Sequence, residues 1–161
     1  MRDVVWFPGH PEQLHLCQER YRLIRPYGYE WRTSGERHRW ILPVGWEHDG
    51  ASVPDLARPF VPRRTLERAA PHHDRAYHCQ GMLPVGEHVR WDRTRREWRD
   101  ALTGAFAADR TPWSRRDADR LFARMAREDP LGPSIWQRRM AYRAVRVAGV
   151  WAWHRRKGGG R

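Results

Sequence analysis

His73, Asp74 and Tyr77 bring a base, a carboxylate and a phenol within about one helical turn of each other. The pattern predicts a helix over residues 64–80, on which His73 and Tyr77 share a face at i, i+4 while Asp74 sits about 100° around from His73. A base and a metal-seeking carboxylate would then look into one cleft. A neutral imidazole with a carboxylate behind it can act as a general base, and a neighbouring antiparallel helix is the simplest place for that carboxylate. Asp119 is the candidate partner. The Tyr77 hydroxyl either belongs to that arrangement or packs in the core and reaches Asp119 from there. A lone helical histidine is more often a hydrogen-bonded structural residue, but this one has Asp74 and Tyr77 beside it and an acidic loop upstream.

That loop is Asp49-Gly50-Ala51-Ser52-Val53-Pro54, some twenty residues before the histidine. Asp49 and Asp74 are hard oxygen donors, and two carboxylates completed by loop carbonyls and water suit Ca2+. Taken alone, Asp49 also fits a turn before Gly50, and Ser52 a cap. His72 opens a weaker zinc alternative with His73, Asp74 and Asp49, although the H-E-x-x-H pattern is absent and adjacent helical histidines seldom point the same way.

The elements that must position these groups follow from periodicity. Leu14–Cys17, Arg20–Ile24 and Arg37–Leu42 alternate as short strands, with breakers at Pro26, Gly28, Ser34 and Gly35. They predict a small antiparallel sheet within residues 1–48. Gly81 should stop the histidine helix. Within 81–113, an unplaced insert, Val89-Arg90-Trp91 and Glu97-Trp98-Arg99 read as a hairpin or as part of a short arginine-rich helix. Ser114 and Asp117 form a capping-box-like start, followed by Ala118, Leu121, Phe122 and Met125 at helical spacing. A last helix runs from Ser134 to about His154, and residues 155–161 form a basic flexible tail.

Composition sets the outer bounds. With 161 residues the chain suits one domain, residues 1–154, and its ten tryptophans argue against global disorder. The formal charge of +12 favours polyanions, either an anionic membrane surface or nucleic acid. No recognised nucleic-acid motif accompanies it, so nucleic acid is the weaker expectation. Cys17 and Cys79 lack metal-type spacing and are expected to be reduced. The chain shows neither a signal peptide nor a membrane-length apolar run, which points to a protein made and kept in the cytoplasm unless another system exports it.

Two resemblances attach to these motifs. Over residues 40–153 the succession Val44-Gly45-Trp46, Asp49 to Pro54, His73-Asp74-x-x-Tyr77, Arg116-x-Ala118-Asp119-x-x-Phe122 and Tyr142-x-Ala144-Val145-Arg146 resembles an uncharacterised family of small proteins encoded mostly by tailed phages and prophages. The same motifs are similar to the secreted phospholipase A2 enzymes of bacteria and fungi, whose last helix carries a glycine matching Gly149. That resemblance implies a helical phospholipase-like core, with His73 activating water on a lipid ester, Asp119 orienting His73 and Tyr77 bonding to Asp119. It also implies Ca2+ on Asp74 and the Asp49 loop. Ala51 stands where the enzymes have a disulfide cysteine, and Ala69 and Ala70 lie where a second is expected, which suits a reducing compartment.

The expected architecture is therefore α+β, a small N-terminal antiparallel sheet beside about three helices, with the cleft between the Asp49 loop and the His73 and Asp119 helices. The expected function is a phage-associated phospholipase A2-type hydrolase. The alternative is a non-catalytic virion, tail or assembly protein that uses the scaffold to bind other phage proteins.

Overall fold

A computed structural model describes residues 4–17, 20–33, 35–50, 61–101 and 112–155. The Ala51 to Pro54 part of the acidic loop, and the tail beyond Arg155, lie outside the described residues. In chain order the elements are β1 (Val5–Trp6), β2 (Gln13–His15), β3 (Tyr21–Leu23), β4 (Tyr27–Thr33), β5 (Glu36–Leu42), β6 (Glu47–His48), α1 (Ala70–His78), β7 (His88–Asp92), β8 (Glu97–Asp100), α2 (Arg115–Glu128) and α3 (Ile135–Arg155). One sheet has the order β1-β4-β5-β7-β8, with β1 parallel to β4 and the other pairs antiparallel. A second sheet has the order β2-β3-β6. The fold is α+β.

The main sheet is larger than the small N-terminal one expected. Residues 88–100 complete it, since β7 pairs with β5 (Trp40 opposite His88) and turns back into β8 (Trp91 opposite Trp98). Of the two readings of this arginine-rich run, the hairpin is the one that forms. Asp92 makes its turn by accepting the N–H groups of Thr94 and Arg95, and Arg96 takes a positive φ of 56°. Strand β4 also departs from expectation, because Gly28 lies inside it and not at a break. The Trp6 ring crosses over Gly28 so closely that a Cβ there would sit 2.6 Å from a ring carbon.

The two faces of the main sheet are built differently. Tyr27, Tyr29, Trp31, Trp40 and Leu42 are buried, and α1 meets them through His72, whose Nε2 lies 3.3 Å from the Trp40 carbonyl oxygen. On the other face the Arg39 guanidinium stacks over Trp98 at 4.1 Å and Trp6 at 5.0 Å, while Arg37 stacks over Trp98 and Trp91. Glu30 accepts hydrogen bonds from both arginines. Part of the chain's positive charge is thus used to cover tryptophans.

Helix α1 begins later than the residue 64 expected. A 3-10 turn spans Arg63–Thr65, and Pro71 occupies the first turn of α1, where its missing N–H costs nothing. It ends at the expected glycine: Gln80 and Gly81 both take positive φ, and the Gly81 N–H donates to Ala76 O at 2.9 Å. Helix α2 carries the reciprocal Ser114/Asp117 capping box. Ser134 and Gln137 exchange the same kind of bonds ahead of α3. Helices α1, α2 and α3 pack against one another. Neither Cys17 nor Cys79 is in a disulfide, and among the described residues no helix is long and apolar enough to cross a membrane.

Candidate functional site

His73 projects from the second turn of α1 toward α2. Its Nε2 lies 3.0 Å from Oδ1 of Asp119, so an Nε2–H donating to the carboxylate leaves Nδ1 with the basic lone pair. The ring packs at a tilt against Tyr77 and Phe122, with ring centroids 4.3 Å and 4.9 Å away. These contacts leave the side chain 12% exposed. Burial alone would lower its pKa, but the hydrogen bonds and charges of Asp119 and Asp74 outweigh that and hold it above the usual imidazole range.

Asp119 is fully buried and satisfied on both oxygens. The Tyr77 hydroxyl donates to Oδ1 at 2.7 Å, while Arg146 of α3 donates to Oδ2 at 2.7 Å and Arg115 reaches Oδ2 at 3.4 Å. Arg115 also donates to the Arg146 carbonyl at 2.9 Å, which ties α2 to α3 beside the carboxylate. Burial would raise the Asp119 carboxyl, yet the bonds from His73, Tyr77 and Arg146 hold it below the ordinary carboxylate range. It stays an anion in a dry place because three elements supply donors to it.

Gly149 makes room for this. A Cβ on Gly149 would stand 2.3 Å from the Tyr77 hydroxyl oxygen, so only glycine lets α3 pass while Tyr77 reaches Asp119. Trp153, one turn further on, packs edge-on against the Tyr77 ring at 4.9 Å.

The other side of His73 faces the acidic pair. Nδ1 lies 3.9 Å from Oδ1 of Asp74, and the Asp74 carboxyl is pushed up to about 8, first by burial and further by the charge of Asp49. Oδ2 of Asp74 is buried with no hydrogen-bond partner among the described residues. Two carboxylates set close together, one with an orphaned buried oxygen, form a donor set that a hard cation would satisfy. Among the described residues no group of three or more His, Cys, Asp or Glu side chains gathers as a metal site.

Asp49 is placed by its neighbours. His48 of β6 accepts the Gly50 N–H on Nδ1 at 3.1 Å, and its Nε2 lies 3.0 Å from the Gln13 side-chain oxygen. Gly50 takes a φ of 69° against the Tyr21 ring, fixing the turn that presents Asp49. Asp49 and Gly50 line a cleft of about 540 Å³ whose other walls include Tyr21, Arg64, Arg68 and Leu131.

Of the residues picked from sequence, His73, Tyr77 and Asp119 meet directly, Asp74 flanks the free nitrogen of His73, and Asp49 is near enough to Asp74 to raise its carboxyl, while the cleft that Asp49 lines includes neither His73 nor Asp119. His72 does not join them. It is fully buried among the rings of Tyr27, Tyr29 and Trp40, on the sheet side of α1. Sequence reasoning missed the support given by Arg115 and His48, and gave Arg146 and Gly149 no role. The i, i+3 spacing of Arg146 and Gly149 was the available signal, since it puts both on one face of α3.

A family model described as Protein of unknown function (DUF1353) matches residues 21–145. No curated protein and no solved structure matches the chain. The family match runs from β3 into α3 and spans Asp49, His73, Asp74, Tyr77 and Asp119, most of the chain and all of the candidate residues, so the protein belongs to the DUF1353 family.

Proposed function

We propose that the chain is a phage-associated hydrolase of phospholipase A2 type, with a phospholipase-like arrangement of its three helices, acting on a lipid ester. The observation that carries this reading is the His73–Asp119 pair at 3.0 Å, with Asp119 held by Tyr77 and Arg146 so that His73 Nδ1 is left basic. In the reaction Nδ1 takes a proton from water as the water oxygen bonds to the ester carbonyl carbon. The resulting imidazolium is stabilised by Asp119, and it returns the proton to the departing alcohol oxygen as the ester C–O bond breaks. Fatty acid and a deacylated lipid are the products. Tyr77, Arg115 and Arg146 fix the carboxylate partner of His73 from three helices, which holds the imidazole in one orientation for both proton transfers.

Asp49 and Asp74 would hold Ca2+, which when bound supplies a positive charge for the carbonyl oxygen. The buried, partnerless Oδ2 of Asp74 supports that assignment. Isothermal titration of Ca2+ into metal-free protein tests it, with Zn2+ in parallel. The expected result is one calcium site that Asp74→Asn abolishes. If neither metal binds, the metal-assisted reading fails and the scaffold is better explained as a non-catalytic module that binds other phage proteins.

A further inference from the structure

Helix α3 is unusual in what it shows to water. Its 21 residues include Arg138, Arg139, Arg143, Arg146 and Arg155 and contain no aspartate or glutamate. At about 100° per residue, Trp136, Arg139, Arg143, Val147, Val150 and His154 fall on one stripe, and all six are exposed. Val147 is 78% exposed, Trp136 54% and Val150 45%, with Ile135 and Leu131 exposed at the helix start. The opposite side carries the buried Ala141 and Trp153 and the contacts to Tyr77. An apolar side is thus used up in packing, and a second set of large apolar side chains remains outside, interleaved with arginines.

We propose that this outer stripe of α3 lies in the interface of an anionic bilayer, with Trp136, Val147 and Val150 entering the headgroup boundary and Arg139 and Arg143 meeting lipid phosphates. Charge complementarity selects this occupant. Neither Arg139 nor Arg143 has a carboxylate partner among the described residues, so both keep their charge for an anionic surface. A second copy docked stripe to stripe would bring these arginines against each other. Nucleic acid would engage the arginines and leave the two valines against phosphate and water. Exposed apolar side chains interleaved with arginines, with a tryptophan near one end, suit the headgroup boundary, where the apolar groups enter and the guanidinium groups stay at the level of the phosphates. Arg146 of the same helix binds Asp119, so docking through α3 would tie the membrane-bound helix to the carboxylate that supports His73. That purpose rests on the hydrolase reading, whereas the docking itself is measured without hydrolysis.

The test is co-sedimentation of the full chain with vesicles of phosphatidylcholine alone or with about 30% phosphatidylglycerol, over a range of salt. Wild type should bind the anionic vesicles, and binding should weaken as salt rises. Arg139→Glu/Arg143→Glu and Val147→Asp/Val150→Asp should each lower the partition coefficient by about tenfold or more with unchanged circular dichroism. Arg139→Lys/Arg143→Lys should keep most of it, and His73→Ala should bind as wild type does. Wild type that ignores anionic vesicles, variants that bind as well as wild type, or a solution dimer that Val147→Asp/Val150→Asp converts to monomer would each overturn the proposal.

Discussion

At the level of single residues, the site turns on one buried carboxylate. Asp119 gathers His73, Tyr77, Arg146 and Arg115, so replacing its charge should disturb His73 more than the fold. Asp119→Asn should lower ester hydrolysis by about 10²-fold or more, and the His73 pKa, followed by NMR, should drop because the anion that holds it up is gone. A His73 titration identical to wild type would contradict this. Tyr77→Phe keeps the ring against Trp153 and His73 and removes only the hydrogen bond, at a cost of about 1 kcal/mol. Gly149→Ala forces a methyl into the Tyr77 hydroxyl and should cost more, about 1–3 kcal/mol in chemical denaturation. The opposite ranking would mean that Gly149 is not what admits Tyr77. The i, i+4 pair of His73 and Tyr77 was legible in sequence because helical periodicity is local. Arg146 was legible only as a motif position, because its contact with Asp119 joins residues 27 positions apart on separate helices.

Among the elements, α1 is held at both ends by contacts that reach beyond it. Pro71 begins it, and Gly81 ends it against Trp113, whose N–H donates to Gly81 O at 3.0 Å. A Cβ at Gly81 would lie 1.9 Å from the Trp113 carbonyl oxygen while φ is 79°, so Gly81→Ala should destabilise the protein by at least about 2 kcal/mol. A variant with an unchanged denaturation midpoint would contradict the packing described at this turn. The stop at Gly81 could be read from the sequence. The late start of α1 could not, because residues 64–69 have helical composition but form turns before the proline. Gly28 misled in the other direction: glycine usually interrupts a strand, and here it admits the Trp6 ring. In the β7–β8 hairpin, arginines alternate with tryptophans, and the pairing of Arg37 and Arg39 with Trp91 and Trp98 that makes this pattern a sheet face comes from β5, some fifty residues upstream.

Across the whole molecule, neutral histidines are built into the interior. Burial holds His72 and His88 down to about 3 and His48 to about 4. Each stays neutral when folded, while the unfolded chain takes up a proton below about 6.5, so stability is complete above that pH and is lost as pH falls. The loss is about 2 kcal/mol per histidine at pH 5. Asp74 has the opposite sign, since a carboxyl pushed up to about 8 favours the fold increasingly as pH falls toward its ordinary value. A difference between two chains isolates one histidine. From pH 7 to pH 5, His88→Asn should lose about 2 kcal/mol less stability than wild type, and parallel pH profiles would refute the assignment. Total charge showed the basic surface from the sequence, but not that arginines cover one face of the sheet while others line the outer stripe of α3. The central claim is hydrolysis at His73. It is tested most directly by fatty acid release from phospholipid vesicles in the presence of calcium, comparing wild type with His73→Ala at matched circular dichroism. Release by wild type that falls by about 10²-fold or more in the variant is the predicted result; equal release by both, or none by wild type, would contradict it.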